Sequence, residues 1–338
     1  MSPLLLGAVV VLATAMAYMN GFHDASNAVS TTITTRTLRE STALRLAALL
    51  NLLGALLGMT LLSVTVPWAV HLVGLEQLVA ETAQAPELLG LALLAIMATT
   101  ILWDLLTWWV GMPSSTWHAF FGATLGTSLA LGAAAAWDRL GMLLAISVIG
   151  PLLAAAIAYL LMQGVLYLGR HERLQRGHLR FAQTVSAGAV AAGHGLSDSR
   201  LPLAVVIVAE ATTSGEGPSV LTMMLMVSVA VAAGTLQGGH RIIRTLGRRL
   251  TDLSVAQGLA AETSAAAMMS LGVFGLESPV STSHSLAASV TGAGAARGMR
   301  TVRWPVAGTI LATWVLTPLA SAVLGAAVTG VALESVGA

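Results

Sequence analysis

The chain has 338 residues, 56% of them hydrophobic and 9% charged, with a formal net charge of +1 and a mean hydropathy of +0.83. Soluble domains carry about a quarter charged residues, so this composition excludes an ordinary soluble enzyme or a nucleic-acid-binding module and defines an integral membrane protein. The absence of cysteine excludes disulfides, thiolate chemistry and cysteine metal sites.

Apolar runs long enough for membrane helices recur along the whole length, about twenty residues being needed to cross the hydrocarbon. The period-two alternation of an outer-membrane barrel is absent. The first run, Leu4 to Met19, has no basic leader and no small-residue cleavage site, and reads as a retained helix. All sixteen basic residues are arginine, and most fall in four clusters: Arg36/Arg39/Arg45, Arg170/Arg173/Arg176/Arg180, Arg241/Arg244/Arg248/Arg249 and Arg297/Arg300/Arg303. Short arginine-rich loops stay cytoplasmic. The connections between them hold acids instead, namely Glu76, Glu81 and Glu87, then Asp138, then Glu210 and Glu216, then Glu277.

Threading the chain between these faces predicts segments 3–35, 44–66, 88–111, 114–136 and 142–168. A basic linker over 169–180 follows, then segments 181–209, 218–238, 252–275, 280–296 and 304–333. Five segments per half is an odd number. The second set, in 181–338, therefore runs opposite to the first, in 1–168, which is the geometry of an inverted repeat.

Two motifs recur in the same order at nearly one spacing, close to half the chain. Asn20-Gly21-Phe22-His23-Asp24 aligns with His194-Gly195-Leu196-Ser197-Asp198, and Pro113-Ser114-Ser115-Thr116-Trp117-His118 aligns with Pro279-Val280-Ser281-Thr282-Ser283-His284. Two ordered matches argue for duplication.

Asp24 and Asp198 each lie within or at the end of an apolar span, where an ionised side chain costs several kcal/mol unless a partner or water meets it. Their repetition favours a cation or proton site over a pair of exposed carboxylates. In the Pro-x-Ser-Thr-x-His motifs, proline ends one helix and is tolerated in the first turn of the next. Each motif reads as the start of a half-helix whose free N–H groups and hydroxyls face a cavity, a ready-made anion site. The bland alternative is that these hydroxyls bond the backbone one turn earlier. His23, His118, His194 and His284 can relay protons near neutrality or simply pack. Asp104 is either a site ligand or an interface residue beside tryptophans. Arg200 either pairs with Asp198 or offers positive charge to an anion.

At these residues the sequence resembles the inorganic phosphate transporter family, and most closely its bacterial low-affinity, proton-coupled branch. "NGFHDASNAVSTTITTRTL", "LWDLLTWWVGMPSSTWHAFFGATLG", "GGHRIIRTLGRRLTDLSVAQGLAAE" and "SPVSTSHSLAASVTGAG" carry the resemblance, which runs from about residue 15 to 330. It implies an all-α, inverted-repeat membrane transporter of about 10–12 segments with broken or re-entrant half-helices, carrying phosphate by alternating access. By similarity, phosphate would be held by Ser114, Ser115, Thr116, Ser281, Thr282 and Ser283, and coupling to protons or sodium would fall to Asp24, Asn27 and Asp198. From the residues themselves, Arg200 is a further candidate for the phosphate and Ser197, His23 and Asp104 for coupling. No cofactor is expected beyond a sodium or metal ion travelling with phosphate. The family also implies an inner-membrane location and a homodimer.

Three departures stand out. Ser197 and Arg200 replace the usual asparagine and glutamine, removing neutral oxygen ligands and adding a fixed positive charge, as if Arg200 stood in for one bound cation. Asp104 replaces a usual asparagine. The alternative cargo is sulfate or another tetrahedral oxyanion, which hydroxyls and helix ends recognise through similar geometry. Phosphate can donate a hydrogen bond that sulfate cannot, so an acidic acceptor would favour phosphate; Asp24 is the candidate. An enzyme is not expected, because no HExxH or phosphate-loop motif occurs. A channel fits duplicated broken helices less well than alternating access.

Overall fold

A computed structural model describes residues 1–61, 65–134, 137–171, 175–213, 217–274 and 280–336. Arg173, Glu216, Glu277 and Pro279 lie outside them. The first half contains α1 (Pro3–Thr34), α2 (Glu40–Leu61), α3 (Val66–Val73), α4 (Glu76–Glu81), α5 (Pro86–Val110), α6 (Thr116–Ala130) and α7 (Trp137–His171). The second contains α8 (Arg176–Asp198), α9 (Arg200–Glu210), α10 (Val220–Gln237), α11 (His240–Arg244), α12 (Val255–Phe274), α13 (Thr282–Ala295) and α14 (Trp304–Val336). A π-helical turn over Thr245–Arg249 and a 3-10 turn over Met299–Thr301 complete the helical content.

Each of the ten expected segments contains helix among the described residues, with differences from the expected bounds. Segment 181–209 breaks at Ser199, between Asp198 and Arg200, into α8 and α9. Helix α8 begins at Arg176, inside the stretch read as linker; Arg176 and Arg180 are good helix formers, and Gly177 is tolerated in its first turn. The stretch between the second and third segments also folds, into α3 and α4. Thr65 caps α3 by accepting from Trp68 N, and Gly74 ends it in the left-handed region at φ 66°.

Among the described residues, six helices are long and apolar enough to cross a membrane: α1, α2, α5, α7, α10 and α14. By contrast α6 and α13 have 15 and 14 residues, about 22 Å at 1.5 Å per residue. They stop short of the roughly 30 Å hydrocarbon thickness, as half-helices must. The outward faces of α7 and α14 are a belt of exposed Leu, Val and Ile, including Leu152, Leu160, Leu319 and Val323. Such a surface has lipid as its solvent.

The four arginine clusters gather on one face. Arg180 donates to the carbonyl of Arg36, Arg303 donates to that of Arg248 at 2.8 Å, and His240 lies 3.0 Å from Glu40. At the other face the amino terminus donates to Thr212 O at 3.1 Å, Glu87 accepts from Ser2 N at 2.6 Å and Glu81 accepts from Ala134 N at 2.9 Å. The charge asymmetry of the loops is thus a true sidedness, and the chain is a multi-pass membrane protein.

Packing between the halves is reciprocal. Helix α1 packs on α10 as α8 packs on α2, α6 on α14 as α13 on α7, and α1 on α5 as α8 on α12. Backbone approaches repeat the pattern. A Cβ on Gly21 would collide with the carbonyl of Val231, and one on Gly195 with that of Asn51. Gly126 meets Ala322 and Gly292 meets Ala155 in the same way. Small residues that let helix backbones touch are the main currency of packing in lipid, where apolar burial gives no preference for protein over tail.

Candidate functional site

The site forms where α1, α5, α8 and the tips of α6 and α13 converge. Ser115 is the N-cap of α6, its hydroxyl accepting from His118 N at 3.4 Å; Ser281 is the N-cap of α13, accepting from His284 N at 3.2 Å. Each cap satisfies one orphan donor and leaves the first amides of its half-helix free for an anion. The two tips meet. The imidazoles of His118 and His284 lie 4.6 Å apart between centroids, and His284 stacks on Trp314 at 4.1 Å. Trp314 donates to Pro113 O at 3.1 Å, fixing the entry to α6 from α14.

One polar chain links the first hydroxyl motif to the second through α1. Ser114 lies 2.8 Å from Thr107 Oγ1 and 3.3 Å from His23 Nε2. His23 Nδ1 donates to Asp24 Oδ1 at 2.8 Å, and Ser283 donates to the same oxygen at 3.0 Å. Asn27 then donates to Ser283 at 2.8 Å. A second chain runs from α5 to α8. Thr116 donates to Asp104 Oδ2 at 2.8 Å, Asn20 donates to Thr116 at 3.2 Å and to Asp198 Oδ2 at 3.3 Å, and Trp117 donates to Asp198 Oδ1 at 3.2 Å. His194 joins the chains, its Nε2 lying 3.3 Å from Asp198 and 3.7 Å from Asp24 while Nδ1 lies 2.9 Å from Asn51. Asn51 in turn donates to Thr235 at 2.9 Å.

Every residue of this network is buried. Three carboxylates, those of Asp24, Asp104 and Asp198, sit among His23, His194 and Arg200, so the formal charges can balance at zero. That balance is what makes the cluster tolerable away from water, since an unpaired buried charge costs several kcal/mol. Asp24, His194 and Asp198 each offer one ligand atom within 4.8 Å of the others, a spacing that can close around a small cation or share a proton.

The predicted site residues therefore come together, with roles distributed differently from their sequence grouping. Ser283, grouped with phosphate, touches Asp24 and Asn27, both grouped with coupling. Thr282 Oγ1 has no partner among the described residues. Arg200 does not pair with Asp198; its Nε donates to the carbonyl of Ser197 at 3.1 Å and its Nη2 has no partner among the described residues.

Sequence reasoning gave no role to Asn20, Asn51, Thr107, Trp117 or Glu262. Glu262 of α12 is fully buried, bonded by the hydroxyl of Thr31 and by Ser186 at 3.0 Å, with no basic partner among the described residues. A single acid inside an apolar run is a readable signal for such a site.

Two half-helix tips, paired acidic motifs and a shared buried network are the architecture of a helical membrane carrier. The sequence profile of the phosphate transporter family matches residues 20–178 and again residues 168–325, and the chain belongs to that family. It is 29% identical over 330 residues to a probable low-affinity inorganic phosphate transporter of Bacillus subtilis, covering 94% of each chain. To proteins of the same description it is 35% identical over 333 residues in Mycobacterium tuberculosis, covering 93% of this chain and 75% of that one, and 31% identical in Rhizobium meliloti, covering 96% and 95%. A solved structure described as the sodium-dependent phosphate transporter superposes with a TM-score of 0.80 at 20% identity, covering 97% of this chain and 98% of that one.

Proposed function

We propose that the protein imports inorganic phosphate, free or with a metal ion, as a secondary carrier working by alternating access. The observation that carries this is the single hydrogen-bonded chain from Ser114 through His23 and Asp24 to Ser283. It couples the hydroxyls at the two half-helix tips to a carboxylate, so an anion at the tips and a charge on Asp24 cannot vary independently. The family and the relatives' names support phosphate as cargo.

The halves 1–168 and 181–338 are the moving units in this reading, and their reciprocal packing supports it. For coupling we favour protons. His194 sits between Asp198 and Asp24 and can hold a proton there, whereas sodium prefers a shell of oxygens. Arg200 supplies a fixed charge beside the same motif, standing where a second cation would otherwise be needed.

Uptake of labelled phosphate into proteoliposomes under an imposed proton or sodium gradient, with sulfate as competitor, tests the reading. The expected result is saturable uptake driven by the proton gradient and equal across a wide sodium range. No gradient-driven phosphate uptake overturns the carrier reading; an absolute sodium requirement overturns the proton assignment; preferential sulfate uptake changes the cargo.

A further inference from the structure

Six carboxylate oxygens line this cluster, and they are not equivalent. Asp24 Oδ1 accepts from His23 and Ser283, and its Oδ2 faces His194. Asp198 Oδ1 accepts from Trp117, and its Oδ2 from Asn20 with His194 alongside. Asp104 Oδ2 accepts from Thr116, but Asp104 Oδ1 has no donor among the described residues although the side chain is fully buried. A buried carboxylate oxygen without a donor is a standing cost that a ligand's donor would remove.

Its position says which ligand. Thr116 is the first residue of α6, so the hydroxyl that holds Asp104 belongs to the anion cradle itself. A carboxylate one hydroxyl away from an anion cradle repels any oxyanion that presents only unprotonated oxygens. It attracts one that presents an O–H, because the same contact then becomes a charge-assisted hydrogen bond. Asn20 Oδ1 and Asn27 Oδ1 also lack donors, but neutral amide oxygens discriminate far less.

Resting on the phosphate-carrier reading, we infer that Asp104, rather than Asp24, whose Oδ1 already accepts from His23 and Ser283, accepts the acid P–O–H of bound phosphate and is the residue that excludes sulfate. Hydrogen phosphate and dihydrogen phosphate both carry the required proton; sulfate at neutral pH carries none. A site that must bond a ligand hydroxyl rejects the analogue lacking it by about 10,000-fold.

The test has an arm in the unaltered protein. Monofluorophosphate dianion has the shape of hydrogen phosphate but no P–O–H. Wild-type proteoliposomes are expected to take up phosphate undisturbed by a large excess of either sulfate or monofluorophosphate. In Asp104→Asn the phosphate KM rises and both analogues become competitors, the phosphate-to-sulfate preference falling by about 100-fold or more, while Asp104→Glu recovers part of it. Asp104→Ser replaces the asparagine variant if that protein is not monodisperse. Wild-type protein that carries monofluorophosphate as well as phosphate overturns the inference, as does an Asp104→Asn variant with wild-type discrimination. Wild-type protein that carries no phosphate at all fails the carrier reading instead.

Discussion

The indole N–H of Trp117 donates to Asp198 Oδ1 at 3.2 Å, tying the tip of α6 in the first half of the chain to the end of α8 in the second. Trp117→Phe keeps an aromatic ring of smaller size and removes the donor, leaving a buried carboxylate oxygen unmet. The expected loss is about 1–3 kcal/mol of stability, together with a lower initial uptake rate. Thermal unfolding in detergent and single-time-point uptake check the two separately; an unchanged melting temperature would show that the contact contributes nothing.

Asp24 and Asp198 share His194, so neutralising either disturbs the same charge. Both Asp24→Asn and Asp198→Asn are expected to abolish accumulation of phosphate above equilibrium under an imposed gradient. Wild-type accumulation ratios in both variants would remove these residues from coupling.

Ser115 and Ser281 occupy mirrored caps. Each alanine replacement is expected to cost about 1 kcal/mol of stability and to raise the KM for phosphate, by similar factors because the two half-helices address one anion. The double variant is expected to be non-additive in KM, as neighbouring groups on a shared ligand are.

Gly195 lies against the carbonyl of Asn51, whereas Gly164 on α7 has open space where a side chain would go. Gly195→Val is expected to abolish monodisperse protein on size exclusion, and Gly164→Val to leave the profile unchanged. Equal behaviour of the pair would contradict the close α2–α8 contact.

Glu262 is held by two hydroxyls, those of Thr31 and Ser186. Glu262→Gln retains a polar partner for both and is expected to stay within about 1 kcal/mol of wild type. Glu262→Leu strands the Thr31 hydroxyl, whereas Ser186 keeps its bond to Gln183 O at 3.1 Å, and is expected to cost about 1–3 kcal/mol. Chemical denaturation of the purified protein distinguishes the two.

Much of the site was legible because charge is costly in an apolar span. Asp24, Asp104, Asp198 and Arg200 each interrupt a hydrophobic run, and that penalty is visible one residue at a time. Glu262 carries the same signal, and a reading confined to repeated motifs passes over it. Asn20, Asn51, Thr107 and Trp117 carry no such penalty, so nothing local separates them from ordinary packing residues. The break between α8 and α9 was readable from Pro202, which lies in the first turn of α9 and has no N–H to continue the ladder back to Asp198.

Composition, arginine placement and the two recurring motifs determined that this is a helical membrane protein with a fixed sidedness and a duplicated polar core. These are properties of single segments meeting lipid or water, and each segment's residues suffice to state them. Only the tertiary structure decided which oxygen meets which donor: that Ser283 serves Asp24, that Arg200 leaves Asp198 alone, and that one oxygen of Asp104 stands without a donor. Those pairings join residues from opposite halves or neighbouring helices, and their distances are set by how closely small residues let the backbones approach, which no single segment contains.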